Sequence, residues 1–103
     1  MWILMSDAML SIVRHLNQPG DMLVRARLAG DIERVFPSAK VEVGGGTDYR
    51  FRAILPEADV VKAVSRRLLG INYGNFKSSV HEPKRHNAYI EVWDVMHRMQ
   101  EAA

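Results

Sequence analysis

Two stretches of the sequence alternate between apolar residues and arginine, and this alternation constrains the fold more than any other feature. The first stretch spans residues 22–28 and the second spans 48–55. Successive side chains on a β-strand point to opposite faces of the sheet. Each stretch therefore predicts a strand with one apolar face for the core and one arginine face opposite it. The arginines concerned are Arg25 and Arg27 in the first stretch and Arg50 and Arg52 in the second.

Turn and capping residues around these stretches predict the remaining elements. Residues 9–16 resemble a strand, and the turn-forming segment 17–21 joins it to 22–28 as a β-hairpin. Helix boundaries follow from acidic residues or proline at the start and from proline or glycine at the end. The other predicted elements are a short helix between Asp31 and Pro37, a strand at 41–43, a helix from Pro56 to Gly70, a short helix at 75–80 and a last helix at 87–100.

This element order predicts an α+β fold with a four-stranded antiparallel sheet. A right-handed crossover places the fourth predicted strand between the second and the third, which gives the order 1-2-4-3. The arrangement is ferredoxin-like with the closing strand at the N-terminus. We expect the helices on one face of the sheet and an added C-terminal helix.

The length of 103 residues suits one domain. We predict a single α+β domain at 9–103, and a poorly ordered extension at 1–8 because Met1, Met5 and Met9 are all possible starts. The absence of cysteine excludes a disulfide framework and a thiolate metal site. No apolar stretch approaches the roughly 20 residues that span a bilayer. We therefore expect a cytoplasmic protein with no membrane association, no metal and no cofactor.

The four arginines are predicted to gather on the sheet face opposite the helices. Like charges on neighbouring strands repel one another, so this face needs counter-charges. Acidic residues of the chain, such as Asp48 or Glu42, can supply them, as can an acidic protein surface or a nucleic-acid backbone. Sheets that bind single-stranded nucleic acid usually carry aromatic residues on the open face, whereas Tyr49 and Phe51 are predicted to face the core. The pattern slightly favours a protein partner.

The predicted C-terminal helix has apolar residues around most of its circumference. A helix that packs against one core has a single apolar stripe. This helix is therefore predicted either to be buried between other elements or to form a homodimer or partner contact. In the second case Tyr89, Trp93 and Met96 are the expected interface residues, because large aromatic side chains often anchor interfaces.

Catalytic motifs are not evident, so the sequence favours a non-enzymatic binding or regulatory protein that grips an anionic partner. Such a protein suits a phage or mobile-element inhibitor of a nucleic-acid-handling machine. The alternative is a small nuclease or phosphoryl-transfer enzyme that uses His81 or His86 with an acidic residue. Both histidines lie in a segment, His81 to His86, that is predicted as a polar loop because Pro83 interrupts it.

Overall fold

The computed structural model of the chain describes residues 1–44 and 48–103. Their contacts form two compact units, an N-terminal unit (Met1–Asn72) and a C-terminal unit (Tyr73–Ala103). The strands are β1 (Trp2–Leu4), β2 (Met9–Arg14), β3 (Asp21–Ala26), β4 (Glu42–Val43) and β5 (Phe51–Pro56). The helices are α1 (Asp31–Val35), α2 (Glu57–Leu69) and α3 (Pro83–Ala102), and a 3-10 helix (Lys77–Ser79) precedes α3.

The N-terminal unit is built on a five-stranded antiparallel sheet in the order β1-β2-β3-β5-β4. The α+β class, the antiparallel sheet and the C-terminal helix are as predicted from the sequence. The four-stranded sheet with order 1-2-4-3 is wrong, because β1 adds a fifth strand at one edge. Strands β2, β3, β5 and β4 correspond to predicted strands one, two, four and three, and these four do adjoin in that sequence.

The extra strand β1 lies within residues 1–8, the segment predicted as a poorly ordered extension. It pairs with β2 in the register Trp2–Ser11, Ile3–Leu10 and Leu4–Met9. A tight turn follows it, closed by a 2.7 Å hydrogen bond from the Met5 amide to the Ala8 carbonyl. The strand is three residues long, which is too short for an alternation pattern to identify it.

The core of the N-terminal unit lies between one sheet face and helices α1 and α2. Its side chains come from alternate strand positions and from the apolar sides of the two helices. Val24 and Ala26 of β3 are fully buried, whereas Arg25 between them is not. The main strand contributors are Leu10, Ile12, Val24, Ala26 and Ala53, and the main contributors from the helical layer are Ile32, Val35, Phe36 and Val60. Helices α1 and α2 therefore pack on one face, and the arginine positions of β3 and β5 lie on the other.

A buried carboxylate fixes α1 to the sheet. Asp31 is 1% exposed, and its two oxygens accept hydrogen bonds from the Met9 amide at 3.0 Å and from Arg34 Nη2 at 2.7 Å. The sequence predicts Asp31 as the helix cap, but Gly30 occupies the cap position with φ +90° and Asp31 is the first helical residue. The position inside the helix turns the carboxylate toward the start of β2.

The C-terminal unit combines the 3-10 helix with α3 through aromatic contacts. The Phe76 ring stacks on Tyr89 at 5.6 Å between centroids and contacts Tyr73 at 6.1 Å. Helix α3 begins at Pro83, so the loop predicted between His81 and His86 is wrong. Proline suits the first turn of a helix because the amide that it lacks would have no helical partner there.

Candidate functional site

One row of cross-strand partners crosses the whole sheet on the face opposite α1 and α2. We call it the arginine row, and its members from β1 to β4 are Trp2, Ser11, Arg25, Arg52 and Glu42. Neighbouring strands lie about 4.8 Å apart, so the row is about 19 Å long. The register thus places two arginines of the predicted set directly opposite each other, with a serine and an exposed indole on one side and a carboxylate on the other.

Arg25 and Arg27 are both held over the ring of Tyr49. Their guanidinium carbons lie 4.5 Å and 4.4 Å from the ring centroid. Arg25 Nη2 also donates to Ser11 Oγ at 2.8 Å, and Arg27 Nη1 donates to the Asp48 carbonyl at 3.3 Å. Attraction between a cation and an aromatic face stabilises this arrangement and restricts the side chains. The two guanidinium groups are therefore oriented before any partner arrives.

The position of Tyr49 differs from the prediction that it faces the core. Strand β5 begins at Phe51, so the alternation of the strand does not extend back to Tyr49. Phe51 packs against the core as predicted, whereas Tyr49 contacts Arg25 and Arg27 on the opposite face. Tyr49 is 6% exposed although it is not part of the hydrophobic core cluster. Its burial thus comes with contacts to Arg25 and Arg27.

The surroundings of Tyr49 favour a negative charge. The pKa of its phenol is lowered, chiefly by a hydrogen bond from Ser11. Burial opposes this effect, while a hydrogen bond from Trp2 and the charges of Arg27 and Arg25 add to it. The group of Trp2, Ser11, Arg25, Arg27 and Tyr49 is therefore a site where the local field stabilises an anion.

Among the described residues, no ion pair involves Arg25, Arg27 or Arg50. Asp48, one of the counter-charges that the sequence suggests, accepts a hydrogen bond from Arg27 through its backbone carbonyl. Four other arginines of the chain are each paired with a carboxylate. The arginine–carboxylate pairs are Arg14–Glu57, Arg34–Asp31, Arg67–Asp7 and Arg98–Asp94. The positive charges of Arg25, Arg27 and Arg50 are thus not paired with carboxylates within the part of the chain that the structure describes.

The four predicted arginines occupy different depths of this face. Arg25 and Arg52 are half-buried members of β3 and β5, and Arg25 Nε is buried without an acceptor among the described residues. Arg27 follows β3 and Arg50 precedes β5, and both are exposed. The structure brings Arg25, Arg27 and Arg52 to one surface, and Arg50 lies at its margin, where its carbonyl accepts a 2.8 Å hydrogen bond from Gly44.

A surface groove of about 310 Å³ continues the arginine row toward β4. Leu23 and Ile54 give it an apolar floor, and Arg52 supplies a cation shared with the row. The complete lining is His15, Leu23, Lys40, Glu42, Arg52, Ala53 and Ile54. The groove therefore combines an apolar surface with basic groups from the sheet and from the segment before β4.

The predicted interface residues of α3 are not equally accessible. Tyr89 is 7% exposed and stacks on Phe76, so it belongs to the interior of the C-terminal unit. Trp93 and Met96 are about half exposed. The indole of Trp93 lies 4.4 Å from Lys77 Nζ and stacks on His97 at 5.0 Å. Of the three residues, only Trp93 and Met96 present apolar surface.

The histidines of the enzymatic alternative lie at the start of α3. His81 is exposed ahead of the helix, and His86 is half-buried in its first turns. Glu82, the nearest acid in the sequence, uses both oxygens to cap the helix, accepting from the Arg85 amide at 2.6 Å and the Lys84 amide at 3.1 Å. These backbone hydrogen bonds, that of Arg85 first, lower the pKa of Glu82. Its role as a cap leaves it poorly suited to act as a proton acceptor beside either histidine.

Sequence reasoning did not identify Trp2 and Ser11 as members of the site. Ser11 interrupts the apolar run 9–13 and is 1% exposed. A serine alone among apolar strand residues indicates a polar contact on one face, but it does not identify the partner. Trp2 joins the site only through the pairing of β1, which the sequence pattern does not predict.

Comparison with protein-family models, curated proteins and solved structures found no match for the chain. Within residues 1–44 and 48–103, no helix is both long enough and apolar enough to cross a membrane. In the same residues, no group of three or more acidic or histidine side chains is arranged to hold a metal ion. The candidate site is therefore the arginine face, defined as the sheet face that carries Arg25, Arg27, Arg50 and Arg52 together with Tyr49.

Proposed function

We propose that the chain is a small non-enzymatic binding or regulatory protein whose arginine face engages an anionic partner, either an acidic protein surface or a nucleic-acid backbone. The observation that carries the proposal is the pair Arg25 and Arg27, held over Tyr49 with no carboxylate partner among the described residues. Arginine suits this role because its planar group donates two parallel hydrogen bonds to a carboxylate or a phosphate.

Preorganisation supports binding at this face. A flexible arginine loses conformational freedom when it binds, at about 0.5–1.5 kcal/mol per immobilised side chain. Tyr49 and Ser11 already restrict Arg25, and Tyr49 and the Asp48 carbonyl restrict Arg27. Part of that entropy is therefore lost on folding rather than on binding.

The stability of the free protein points in the same direction. Arg25 and Arg52 are direct cross-strand partners, and like charges in that position destabilise a sheet. Glu42 is the cross-strand partner of Arg52 on β4, so this carboxylate stands next to Arg52 in the row but not next to Arg25. A bound anion would relieve this repulsion, and binding would therefore stabilise the fold.

Fluorescence anisotropy with two anionic probes tests the proposal. The probes are a labelled oligothymidylate of about 12 nucleotides, a length within the usual range for a single-stranded site, and a labelled oligoglutamate peptide of similar length. We expect at least one to bind and expect Arg27→Glu with Arg50→Glu to weaken that binding roughly tenfold or more, because each reversal replaces attraction by repulsion. Both positions are exposed, so the fold should survive.

Lys62→Glu with Arg66→Glu is the matched control, because it also reverses two charges and both residues are exposed on α2, which packs on the opposite face of the sheet. Loss of binding in this control would show that only net charge matters and would contradict the proposal. Cleavage of the oligonucleotide that disappears in His86→Ala would instead favour the nuclease alternative.

We also propose that α3 contacts a second copy of the chain. Along the second half of the helix, Val92, Val95, Met96 and Met99 follow a spacing of three and four residues, and each is between 44% and 60% exposed. Residues at this spacing lie on one side of a helix, as in the seam of a paired-helix dimer.

A further inference from the structure

We infer that the anionic partner is single-stranded nucleic acid, whose phosphates lie on the arginines while a base stacks on Trp2. This inference rests on the proposed binding function of the arginine face and names the class of partner. It departs from the slight preference for a protein that the sequence suggests, because that preference depended on the absence of open-face aromatic residues as well as on the low net charge of +2.

Trp2 lies on the same row of the sheet as two of the arginines, at a distance that one nucleotide strand can span. It is the β1 member of the arginine row, two strands away from Arg25 and three strands away from Arg52. At about 4.8 Å per strand, the backbone of Trp2 lies about 10 Å and about 14 Å from those of the two arginines. The indole is therefore within reach of a base whose own phosphate, or that of its neighbour, contacts the guanidinium groups.

The second step is the exposure of Trp2. Its side chain takes part in the hydrogen bonding around Tyr49, yet the residue is 69% exposed. One edge of the indole is thus tied to the sheet while its surface remains open to solvent. An anchored and exposed indole is the feature that single-strand binding sheets use, and stacking of one base contributes about 1–3 kcal/mol in such proteins.

The third step is the chemistry that the face offers beside the indole. Arg25 and Arg27 are held at this face by the Tyr49 ring and by their hydrogen bonds to Ser11 and to the Asp48 carbonyl, so they offer cations to the phosphates of a strand whose base covers Trp2. An acidic protein surface supplies carboxylates for the arginines but no regular series of flat rings. A nucleic-acid strand supplies a phosphate and a flat ring with every nucleotide, so it matches both parts of the row.

Double-stranded nucleic acid fits this surface less well. Its bases are paired and stacked internally, so none is free to cover Trp2, and the contacts would be limited to phosphates. The pairing of Trp2 with Ser11 places the indole on the face of a five-stranded sheet, which is wider than the helix or two-stranded ribbon that a major groove admits. The site therefore favours a strand with unpaired bases.

Tryptophan fluorescence gives the most specific test, because the chain contains only Trp2 and Trp93. Trp93→Phe leaves Trp2 as the single emitter, and Trp2→Phe leaves Trp93. Titration with the unlabelled oligothymidylate should quench the emission of the Trp93→Phe protein, since a stacked base quenches an indole. It should leave the emission of the Trp2→Phe protein essentially unchanged. Quenching of the Trp2→Phe protein alone would overturn the assignment of the stacking site.

Affinity measurements separate the inference from the function on which it rests. The labelled probes are the oligothymidylate, an abasic strand of equal length, a duplex of equal length and the oligoglutamate peptide. We expect Trp2→Ala to weaken oligothymidylate binding by roughly fivefold to a hundredfold, and Trp93→Ala to change it little. We also expect affinity to fall by roughly twentyfold to fiftyfold between about 50 and 200 mM salt if three or four phosphates are contacted.

The other outcomes distinguish failure of the stacking inference from failure of the anion-binding function on which it rests. Equal binding of the abasic strand and the oligothymidylate, with no effect of Trp2→Ala, would overturn the stacking inference while leaving an anion-binding face. Binding of oligoglutamate alone, sensitive to Arg27→Glu with Arg50→Glu, would also overturn the inference and would make the partner an acidic protein. Failure of every probe to bind at low salt would contradict both the inference and the proposed function.

Discussion

At the scale of single residues, the structure shows that the same side chain can be structural or available for binding according to its neighbours. Arg34 and Arg67 hold the start of α1 and the β1–β2 turn together through Asp31 and Asp7. Arg27 has an aromatic ring and a backbone carbonyl in place of a carboxylate. The amino-acid composition cannot distinguish an arginine held by a carboxylate from one available for binding, because both kinds contribute equally to the count of arginines.

The ionisation of Tyr49 tests the local field at the site. Because its pKa is lowered, we expect its phenolate to form at a lower pH than that of an ordinary tyrosine. Ser11→Ala should raise this pKa the most, since the Ser11 hydrogen bond is the largest favourable contribution, and Arg27→Gln should raise it less. Ultraviolet absorbance against pH follows the phenolate, and Tyr49→Phe identifies which step of the titration belongs to Tyr49.

The lowered pKa of Tyr49 also decides at which pH ionisation of its phenol stabilises the fold. A folded pKa below the unfolded one means that ionisation of Tyr49 stabilises the fold fully only above the ordinary tyrosine pKa. This contribution is lost as the pH falls through the lowered folded pKa. If the phenolate of Tyr49 formed only above the pH at which an ordinary tyrosine ionises, the result would contradict the described surroundings of the ring.

Asp31 provides a test of the residue-level account of stability. Asp31→Ala removes a buried acceptor and leaves the Met9 amide and the Arg34 guanidinium without it. We expect a loss of about 2–4 kcal/mol in the free energy of unfolding, measured by chemical denaturation. Asp59→Ala, in the exposed first turn of α2, should cost at most about 1 kcal/mol. Equal losses in the two variants would show that the buried contacts of Asp31 contribute nothing specific.

At the scale of strands and helices, the accuracy of a prediction depends on the residue at which each element begins. The strong alternation of β3 predicts its two faces correctly, because Val24 and Ala26 are buried and Arg25 is not. The alternation of residues 48–55 predicts β5 well only from Phe51 onward. Tyr49 lies before the strand, where the backbone no longer enforces alternate faces, and it turns to the arginine side. One shifted boundary therefore moves an aromatic residue from the predicted core to the candidate site.

The start of α3 shows a second boundary effect and yields a prediction. Pro83 resembles a helix breaker from the sequence, but with Glu82 before it the proline opens the helix. We expect Glu82→Ala to increase hydrogen exchange at the amides of Lys84 and Arg85, whose cap acceptors it removes. Because the pKa of Glu82 is lowered, the cap contributes fully above the ordinary glutamate pKa and is lost as the pH falls through the lowered value. Glu91→Ala, an exposed site farther along α3, should leave both amides protected.

At the scale of the whole molecule, the sequence predicts the class and most strand neighbours but not the complete sheet. The strand order confirms the predicted position of β5 between β3 and β4. Strand β1 escapes prediction because three residues carry no periodicity. The candidate site suffers from the same omission, since Trp2 reaches the arginine row only through β1. Long-range pairing of a short edge strand is a tertiary effect that local pattern does not encode.

The proposed contact between α3 helices makes a prediction for assembly. We expect concentration-dependent dimers in sedimentation velocity, and we expect Met96→Glu to shift them to monomers, because a charge at a buried apolar contact is unfavourable. Glu101→Lys, at an exposed position two residues after Met99 and therefore on the opposite side of the helix, should leave the dimer in place. A wild-type chain that stays monomeric at all concentrations would contradict this contact without affecting the arginine face.

The central claim is that the arginine face binds an anionic partner, and nuclear magnetic resonance of the arginine side chains tests it most directly. The chain contains ten arginines, and their Nε–Hε resonances report on each guanidinium separately. On titration with oligothymidylate or oligoglutamate, the account predicts that the resonances of Arg25, Arg27, Arg50 and Arg52 shift together and saturate. Saturable shifts confined to the remaining arginines, or no saturable shift with either probe, would contradict the claim.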